Sequence, residues 1–424
     1  MKAVILAGGS GTRLRTASDR TPKPMLPLFG KPAMEHSIRL LKKHGVKDIL
    51  VALSYRAKVI MDYFGDGSKW RVKINYSLEE KPIGTAGAVK RAQAALDETF
   101  IVVAGDIVTD LNLSVAVEFH RRSSAMATVL LHEVQDPSDF GVVAAEPDGR
   151  VTRYVEKPPS DEVFSSKIST GIYILEPDVL GSIPYEQPCD FGREVFPRLL
   201  HNMDPVYACE LPGYWCDVGN MIQYRAVHFD ALMGKLDMEI GGKEVEKGIY
   251  VEKDALVHRS VQLIAPLLIG SGAEVRRNAA LGELSVIGAD ALIDEAAIVE
   301  RSIIGSGAFI GRASNVSDCV IASGYHLADN DTAHNRLVFD LHDRAHEPDA
   351  DTELLEDLPI ADRRVSNLRQ SRRLEYVSRS KRPLFVIYEP PKTATHGVYV
   401  HTIDLTMTRP MTDQTLCWIP VGDT

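Results

Sequence analysis

The clearest chemical signal lies near the start of the chain, where an apolar run leads into a glycine-rich segment. Leu6–Leu14 reads LAGGSGTRL, and Pro22–Pro24 follows it with a central lysine. Glycines let the backbone approach a phosphate and present N–H groups to it, while Arg13 and Lys23 add positive charge. The spacing matches neither a Walker A loop nor the dinucleotide-binding G-x-G-x-x-G fingerprint. We therefore predict that this segment binds a polyphosphate.

A carboxylate follows a second apolar run. Phe100–Ala104 predicts a central strand, and Asp106 comes two residues after its end. Proteins of the α/β class bind ligands at the carboxyl ends of such strands. We therefore expect Asp106 to face a ligand.

These segments together resemble the sugar nucleotidyltransferase family. Its G-x-G-T-R loop and downstream Pro-Lys match Gly9–Arg13 and Pro22–Lys23 residue for residue. The resemblance covers residues 1–235, and residues 248–325 as an appended left-handed β-helix. Within the family the chain is most similar to the mannose-1-phosphate guanylyltransferases. The resemblance implies an enzyme that joins an NTP to a sugar 1-phosphate with Mg²⁺ as cofactor and releases pyrophosphate.

The resemblance also implies roles for individual residues. The implied catalytic residues are Arg13 and Lys23, which bind the NTP phosphates, and Asp106 and Asp217, which hold Mg²⁺. The implied nucleotide-binding residues are Leu6, Ala7, Gly8, Gly9, Gly11, Thr12, Arg13, Lys23, Glu79, Gly84 and Thr85. The implied sugar-phosphate-binding residues are Gly141, Glu156, Lys157 and Thr170.

The base and the sugar are left open by these motifs. Glu79 or Glu80 could accept hydrogen bonds from guanine N1–H and N2–H, although both are equally well explained as solvated surface carboxylates. GTP with mannose 1-phosphate is the leading pair, and glucose 1-phosphate with UTP, dTTP or ATP is the alternative. Many relatives carry Asn at the position of Ser169 and Asp at that of Asn220.

Two rival functions remain to be weighed. Hexapeptide β-helices also form acyltransferases that use a histidine between coils, and His258 and His326 are the histidines in or beside the repeat. A regulatory paralogue that binds a nucleotide sugar without turning it over is the non-enzymatic alternative. Such a protein could lose Lys23, Asp106 or Asp217, and the presence of all three favours catalysis.

The elements that must position these residues follow an α/β pattern. Short apolar runs at Ala3–Ala7, Ile49–Leu53 and Phe100–Ala104 predict strands, whereas Met34–His44 and Thr85–Leu96 have the spacing of covering helices. We predict a Rossmann-like, mostly parallel sheet as a catalytic domain at residues 1–240.

The pattern changes beyond Gly248, where an apolar residue recurs at every sixth position. After one five-residue slip the repeat continues, and it comprises Val251, Val257, Leu263, Ile269, Val275, Leu281, Ile287, Ile293, Val299, Ile304, Ile310 and Val316. Neither a helix nor an ordinary sheet has this period, whereas a parallel β-helix of hexapeptide repeats does. We predict this domain at residues 248–333 and expect it to assemble a homo-oligomer.

Residues 334–424 form the third predicted region, an acidic linker followed by a small extension. Pro383–Tyr388 and Val398–Ile403 are predicted strands within it. The formal net charge of the whole chain is −10, which disfavours nucleic acid as a partner. The five cysteines are widely spaced and are expected to be reduced packing residues. Without a signal segment or a long apolar stretch, the expectation is a cytoplasmic protein with no membrane partner.

Overall fold

The computed structural model describes residues 1–9, 21–54, 56–79 and 81–338, together with the backbone of four short strands beyond them. The described chain divides into two compact units. The first comprises residues 1–9, 21–223 and 235–238, and the second comprises residues 224–234 and those from 239 onward. Gly11, Thr12, Arg13, Glu80 and most of the acidic linker, for which roles were predicted, lie outside the described residues.

The first unit alternates strands and helices along the chain. Its strands are β1 (Lys2–Leu6), β2 (Pro27–Leu28), β3 (Lys31–Pro32), β4 (Asp48–Leu53), β5 (Lys73–Leu78), β6 (Phe100–Ala104), β7 (Ile107–Thr109), β8 (Ala127–Glu133), β9 (Gly141–Ala145), β10 (Val151–Glu156), β11 (Lys167–Leu175), β12 (Val206–Glu210) and β13 (Trp215–Asp217). Its α-helices are α1 (Ala33–Lys43), α2 (Ala57–Phe64), α3 (Gly84–Arg91), α4 (Leu113–Arg122) and α5 (Phe196–His201). Helix α6 (Met221–Leu232) begins in this unit and continues into the second.

Nine of these strands form one twisted sheet. Its main path runs β10-β9-β11-β6-β1-β4-β5, and β8 and β12 join it through β11. Strand β1 pairs in parallel with both β4 and β6, as the sequence predicts, but β11 pairs with β6 in the antiparallel direction. The sheet is therefore mixed: β6, β1, β4 and β5 are parallel, whereas β11 pairs in the antiparallel direction with β6, β8 and β9.

Strand β6 lies in the middle of the sheet and has apolar residues on both faces. Phe100 and Val102 belong to one buried cluster, whereas Ile101 and Val103 belong to the cluster on the opposite face. Alternate side chains of a strand point to opposite faces, so a strand covered on both sides has a continuous apolar sequence. The residues that follow β6 consequently emerge at the edge of the sheet from a strand that is buried on both faces.

The predicted helices are confirmed with shifted ends. Helix α1 covers Ala33–Lys43, one residue earlier than predicted. Helix α3 ends at Arg91, and the remainder of the predicted Thr85–Leu96 helix is a separate 3₁₀ turn at Gln93–Ala95. The apolar spacing of Ala88, Ala92 and Ala95 does not distinguish one long helix from a helix followed by a tighter turn.

The second unit is built of short strands that repeat in groups of three. They are β14 (Lys243–Glu246), β15 (Ile249–Val251), β16 (Leu256–Val257), β17 (Gln262–Leu263), β18 (Leu267–Ile269), β19 (Glu274–Val275), β20 (Ala280–Leu281), β21 (Ser285–Ile287), β22 (Leu292–Ile293), β23 (Ile298–Glu300), β24 (Ile303–Ile304), β25 (Phe309–Ile310), β26 (Asn315–Ser317), β27 (Val320–Ile321), β28 (His326–Leu327), β29 (Thr332–His334) and β30 (Arg336–Val338). From β15 to β27 each strand pairs in parallel with the third strand after it, which gives three sheets of parallel strands.

The predicted β-helix is confirmed by this pairing and by its core. Leu267 pairs with Ser285, whereas Ile303 pairs with Val320, so later coils are one residue shorter. The five-residue step between Val299 and Ile304 is the point at which the repeat changes. All twelve residues of the repeat lie in one hydrophobic cluster, of which Val251 and Val257 are only partly buried. Each turn of the chain brings the equivalent apolar residue to the same position one coil further on. These side chains therefore stack on one another in the interior of the β-helix.

The backbone of four further strands is described beyond the β-helix. They are β31 (Glu353–Leu354), β32 (Leu384–Tyr388), β33 (Val398–Ile403) and β34 (Cys417–Ile419). Strands β32 and β33, which the sequence predicts, pair with each other and with β34 in an antiparallel sheet. Cys189, Cys209, Cys216 and Cys319 are free thiols, as expected. Among the helices in the described part of the chain, none has the length and apolar character needed to cross a membrane.

Candidate active site

A cleft of about 300 Å³ opens at the carboxyl edge of the parallel strands in the first unit. This volume is at the lower end of the range of small-molecule sites. The cleft is lined by Leu6, Ala7, Gly8, Gly9, Lys23, Pro24, Ala52, Glu79, Pro82, Gly84, Thr85, Ala88, Ala104, Asp106 and Asp190. Most of the nucleotide-binding residues predicted from the sequence therefore lie around one cavity.

Lys23 lies between the two aspartates that the sequence singles out. Its Nζ contacts Asp106 Oδ2 and is 3.3 Å from Asp217 Oδ1. Strand pairing brings these carboxylates together, since β13 pairs with β7 and places Asp217 opposite Ile107. The Val218 N–H also donates to the Asp106 carbonyl at 3.0 Å. Two aspartates that are far apart in the chain thus share one ammonium group.

The surroundings of Lys23 hold it in the charged form. Burial alone would lower its pKa, but Asp106 and Asp217 outweigh burial and the pKa is raised. The lysine side chain is only 16% exposed. An ammonium group that is buried and paired in this way provides a fixed positive charge at the edge of the cleft.

The aspartate pair has the donor chemistry of a divalent-cation site. In the part of the chain that the structure describes, no group of three or more His, Cys, Asp and Glu side chains has a metal-binding arrangement. Mg²⁺ usually takes only one or two protein carboxylates, and its other ligands are water and substrate phosphate. Asp106 and Asp217 fit that donor set because both converge on the same point.

Gly84 and Thr85, two of the predicted nucleotide-binding residues, begin helix α3. Gly84 has a φ of +76°, and a Cβ at this position would overlap the Cys189 carbonyl. That carbonyl accepts hydrogen bonds of 3.0 Å from the N–H groups of Ala86 and Gly87. Glu79 lines the cleft, where burial raises its pKa, and its Oε2 accepts a 3.3 Å hydrogen bond from the Ile83 N–H. The first turn of α3, at one end of the cleft, is therefore held against the backbone at Cys189.

Asp190 is a residue of the cleft that the sequence analysis missed. Its Oδ2 accepts a hydrogen bond of 2.7 Å from the Thr85 hydroxyl. Its Oδ1 accepts from the Gly192 and Arg193 N–H groups at 3.0 and 3.3 Å, and so caps the helical turn Phe191–Val195. An aspartate before a helical turn is an ordinary capping signal. Nothing in the local sequence indicates that its second oxygen reaches Thr85.

Glu156 occupies a narrow slot on the sugar side of the predicted site. A Cβ added at Gly141 or at Gly192 would overlap its surroundings, with Glu156 Oε2 among the nearest atoms. The Tyr154 hydroxyl donates to Glu156 Oε2 at 3.3 Å. Burial raises the pKa of Glu156, and the nearby Asp190 carboxylate raises it further. The two glycines therefore leave space for a carboxyl group that is held in place and partly desolvated.

The other predicted sugar-site residues are placed differently. Lys157 is exposed, has a φ of +49°, and donates its backbone N–H to the Phe140 carbonyl at 3.0 Å. Thr170 is 1% exposed, and its hydroxyl donates to the Leu130 carbonyl at 2.9 Å. The Thr170 side chain is thus engaged inside the sheet, while its carbonyl accepts from Trp215 Nε1 at 3.0 Å.

The chain is similar to known proteins in its sequence and in its fold. The model of the Nucleotidyl transferase family matches residues 2–233. A UTP–glucose-1-phosphate uridylyltransferase from Synechocystis sp. is 36% identical over 313 residues, which are 69% of this chain and 80% of that protein. Mannose-1-phosphate guanylyltransferase 1 from Arabidopsis thaliana is 32% identical over 297 residues, which are 68% of this chain and 81% of that protein. A Bacillus anthracis structure named after glucose-1-phosphate thymidylyltransferase superposes with a TM-score of 0.51 at 26% identity, covering 56% of this chain and 97% of that one.

Proposed function

This chain belongs to the nucleotidyl transferase family, and on that basis we propose that it transfers a nucleotidyl group from an NTP to a sugar 1-phosphate. The contact of Lys23 with both Asp106 and Asp217 at the edge of a glycine-lined cleft carries this proposal. It places a positive charge and a pair of metal-type ligands beside backbone that a triphosphate can approach closely.

The reaction needs positioning and charge cancellation more than covalent help from the protein. An oxygen of the sugar phosphate attacks the α-phosphorus of the NTP, and the bond from that phosphorus to the β-phosphate oxygen breaks. Pyrophosphate leaves with the electron pair of the broken bond. Lys23 binds the departing pyrophosphate, together with Arg13 as the sequence predicts, and Lys157 binds the attacking phosphate.

We propose Mg²⁺ as the cofactor, held by the carboxylates of Asp106 and Asp217. When bound, such an ion neutralises phosphate charge and lowers the cost of bringing two anionic substrates together. Glu156, between Gly141 and Gly192, accepts hydrogen bonds from sugar hydroxyls. Its fixed orientation supports this role, because a side chain held in one rotamer loses little entropy on binding.

GTP and mannose 1-phosphate are our first choice of substrates. Glu79 lines the cleft near Gly84, and a carboxylate there can accept from the N1–H and N2–H groups of guanine. Uracil and thymine offer one such donor at N3, and adenine offers no comparable pair. UTP with glucose 1-phosphate is the second choice, which the 36% identity to the Synechocystis uridylyltransferase supports.

Pyrophosphate release by the purified full chain with Mg²⁺ tests the proposal. GTP, UTP, dTTP and ATP are each combined with mannose 1-phosphate and glucose 1-phosphate. We expect release with GTP and mannose 1-phosphate, whereas release with UTP and glucose 1-phosphate would select the second choice. Tight nucleotide binding without release from any pair would contradict catalysis and favour a regulatory protein.

Variants of the site make the test specific. Asp106→Asn is expected to lower turnover by at least about tenfold, because it removes one negative charge from the metal-binding pair. Asp62→Asn is the matched control, since Asp62 is 62% exposed and forms an ion pair with Lys58 on the surface of α2. Glu79→Gln should reduce the preference for GTP over UTP without changing the response to the sugar. Wild-type turnover of Asp106→Asn would refute the mechanism.

We also propose that the chain forms a homo-oligomer through its β-helix. Strands β14 and β31 pair in the antiparallel direction with β15 and β30 and so cover both ends of one of the three sheets. The end strands of the other two sheets are the surface that we expect a second subunit to cover. Light scattering of the full chain at micromolar concentration tests this, and a monomeric mass would refute it.

A further inference from the structure

The ammonium group of Lys23 contacts both carboxylates of the aspartate pair. Lys23 Nζ contacts Asp106 and is 3.3 Å from Asp217. The exposed fractions of the two aspartate side chains are 27% and 32%, so neither is freely solvated. Without Lys23, two partly buried negative charges would face each other. The ammonium group therefore occupies the point at which their charges converge.

A divalent cation that binds the same two carboxylates cannot simply be added beside this ammonium group. A carboxylate oxygen coordinates Mg²⁺ at about 2.0–2.1 Å. An ammonium group that kept its hydrogen bonds to the same pair would then lie within a few ångströms of a doubly charged ion. Both cations also compete for the same oxygen lone pairs. Binding of the metal consequently requires Lys23 to release at least one aspartate.

The backbone around Lys23 restricts how it can move. Lys23 begins the 3₁₀ turn Lys23–Met25, and the Leu26 N–H donates to its carbonyl at 3.1 Å. Pro22 and Pro24 flank it, and the ring of each proline fixes its own φ. The lysine side chain, by contrast, has four rotatable carbon bonds and no fixed hydrogen-bond geometry. The movement must therefore occur in the side chain.

The same cleft offers a second anionic partner for the ammonium group. Gly8 and Gly9 line the cleft together with Lys23, and no atom of the described residues would lie within 4 Å of a Cβ at Gly9. Under the proposed function, this is the place for the triphosphate. A bound triphosphate gives Lys23 new oxygen partners and so frees Asp106 and Asp217 for the metal.

We propose that Lys23 is a resident cation that competes with the divalent metal for Asp106 and Asp217 until a nucleoside triphosphate draws it away. The free protein then binds the metal weakly, and nucleotide and metal strengthen each other's binding, as thermodynamic linkage requires. This inference rests on the proposed function, but it makes a separate claim about metal binding in the absence of any substrate.

The test is a Mn²⁺ titration of the full chain without nucleotide. Electron paramagnetic resonance measures the concentration of free Mn²⁺ at each step. Lys23→Met removes the ammonium group but keeps much of the side-chain volume. We expect it to tighten Mn²⁺ binding by about tenfold, which is a usual size for coupling between sites. Lys23→Arg keeps the charge and should remain close to the wild type. Lys47→Met removes an exposed positive charge elsewhere and should also leave binding unchanged.

Two further measurements make the result decisive. Mn²⁺ should raise the thermal midpoint of Lys23→Met more than that of the wild type, because a ligand stabilises the state that binds it more tightly. The double variant Lys23→Met/Asp106→Asn should lose the gain in affinity. The proposal is overturned if Lys23→Met binds Mn²⁺ no more tightly than the wild type, or if the double variant retains the gain.

The failure of this inference can be told apart from failure of the proposed function. If Lys23→Met and the wild type bind Mn²⁺ equally tightly and the wild type releases pyrophosphate, only the proposed competition is overturned. Tighter Mn²⁺ binding by Lys23→Met, combined with no release from any substrate pair, would support the competition and refute only the transferase activity.

Discussion

The Thr85 hydroxyl donates a hydrogen bond of 2.7 Å to Asp190 Oδ2, although 105 positions separate the two residues in the chain. The oxygen of the same hydroxyl accepts the Phe191 N–H at 3.0 Å. Through these bonds the first turn of α3, at the nucleotide end of the cleft, is joined to the Asp190 loop. Gly192 of that loop abuts Glu156 on the sugar side. One segment therefore contacts both halves of the proposed site.

Thr85→Val should weaken catalysis by loosening this connection. The change keeps the side-chain shape but removes a hydrogen bond to a carboxylate, which typically contributes about 1.5–3 kcal/mol. We expect kcat/KM to fall by about tenfold or more, with the KM values for nucleotide and sugar phosphate both raised. Steady-state pyrophosphate release measured against each substrate in turn checks this.

Thr99→Val is the matched control for that variant. The Thr99 hydroxyl also donates to a carboxylate, Glu176 Oε1, at 2.7 Å, but neither residue lines the cleft. Its thermal midpoint should fall by an amount similar to that of Thr85→Val, while its kcat/KM stays at the wild-type value. Equal catalytic losses in the two variants would mean that only stability is involved.

Gly192→Ala should disable the sugar side of the site. A Cβ at Gly192 overlaps Glu156 Oε2, so the carboxylate or the loop must shift. Because a displacement of about 1 Å near a reacting group can reduce the rate a hundredfold, we expect at least about a tenfold loss of kcat/KM for the sugar phosphate. Gly181→Ala is the control, since a Cβ there meets nothing within 4 Å. An unimpaired Gly192→Ala enzyme would argue against a role for Glu156 in binding the sugar.

Glu156→Gln should stabilise the protein at neutral pH. Burial raises the pKa of Glu156 above its ordinary value of 4.5. A carboxyl with a higher pKa in the folded state binds more protons there, so stability falls as the pH rises from the unfolded pKa through the raised folded pKa. Glutamine cannot ionise and avoids this loss. We expect a thermal midpoint at pH 8 higher than that of the wild type by an amount on the order of 2 °C.

The difference between Glu156→Gln and the wild type should shrink as the pH falls and disappear well below 4.5, where Glu156 is protonated in both the folded and the unfolded state. Scanning fluorimetry at half-unit steps of pH measures this. Glu146→Gln controls for the general loss of a negative charge, because Glu146 is exposed and directly follows β9. A stabilisation that is independent of pH would refute desolvation as its cause. Activity should nevertheless fall, because the variant loses a charged acceptor for sugar hydroxyls.

Ile293→Ala should destabilise the β-helix. Ile293 is fully buried in the core of the second unit, and truncation of such a residue to alanine usually costs about 2–5 kcal/mol. Leu256→Ala, at a position that is 65% exposed, should change the free energy of unfolding by less than about 0.5 kcal/mol. Urea unfolding followed by circular dichroism compares the two midpoints. Equal effects would contradict the interior position of the hexapeptide residues.

Much of the fold could be predicted because its signals are periodic. A six-residue period survives twelve repeats from Val251 to Val316, and the structure confirms the β-helix and the five-residue slip within it. The strand at Phe100–Ala104 is confirmed at both ends, since a continuous apolar run can only be buried on both faces. Where the apolar spacing was less regular, the predicted ends of an element were wrong. Helix α3 ends at Arg91, whereas the predicted helix ran to Leu96.

The sequence by itself determined the fold class and the family, and it named several of the residues that line the cleft, because these follow from local patterns and from motifs within a few residues. Only the tertiary structure decided that Lys23 holds Asp106 and Asp217 together, that Asp190 binds Thr85, and that Glu156 lies against Gly141 and Gly192. These contacts depend on which strands and loops pair across the sheet. Pairing between distant segments has no periodic signature along the chain, so it can be seen only once the chain has folded.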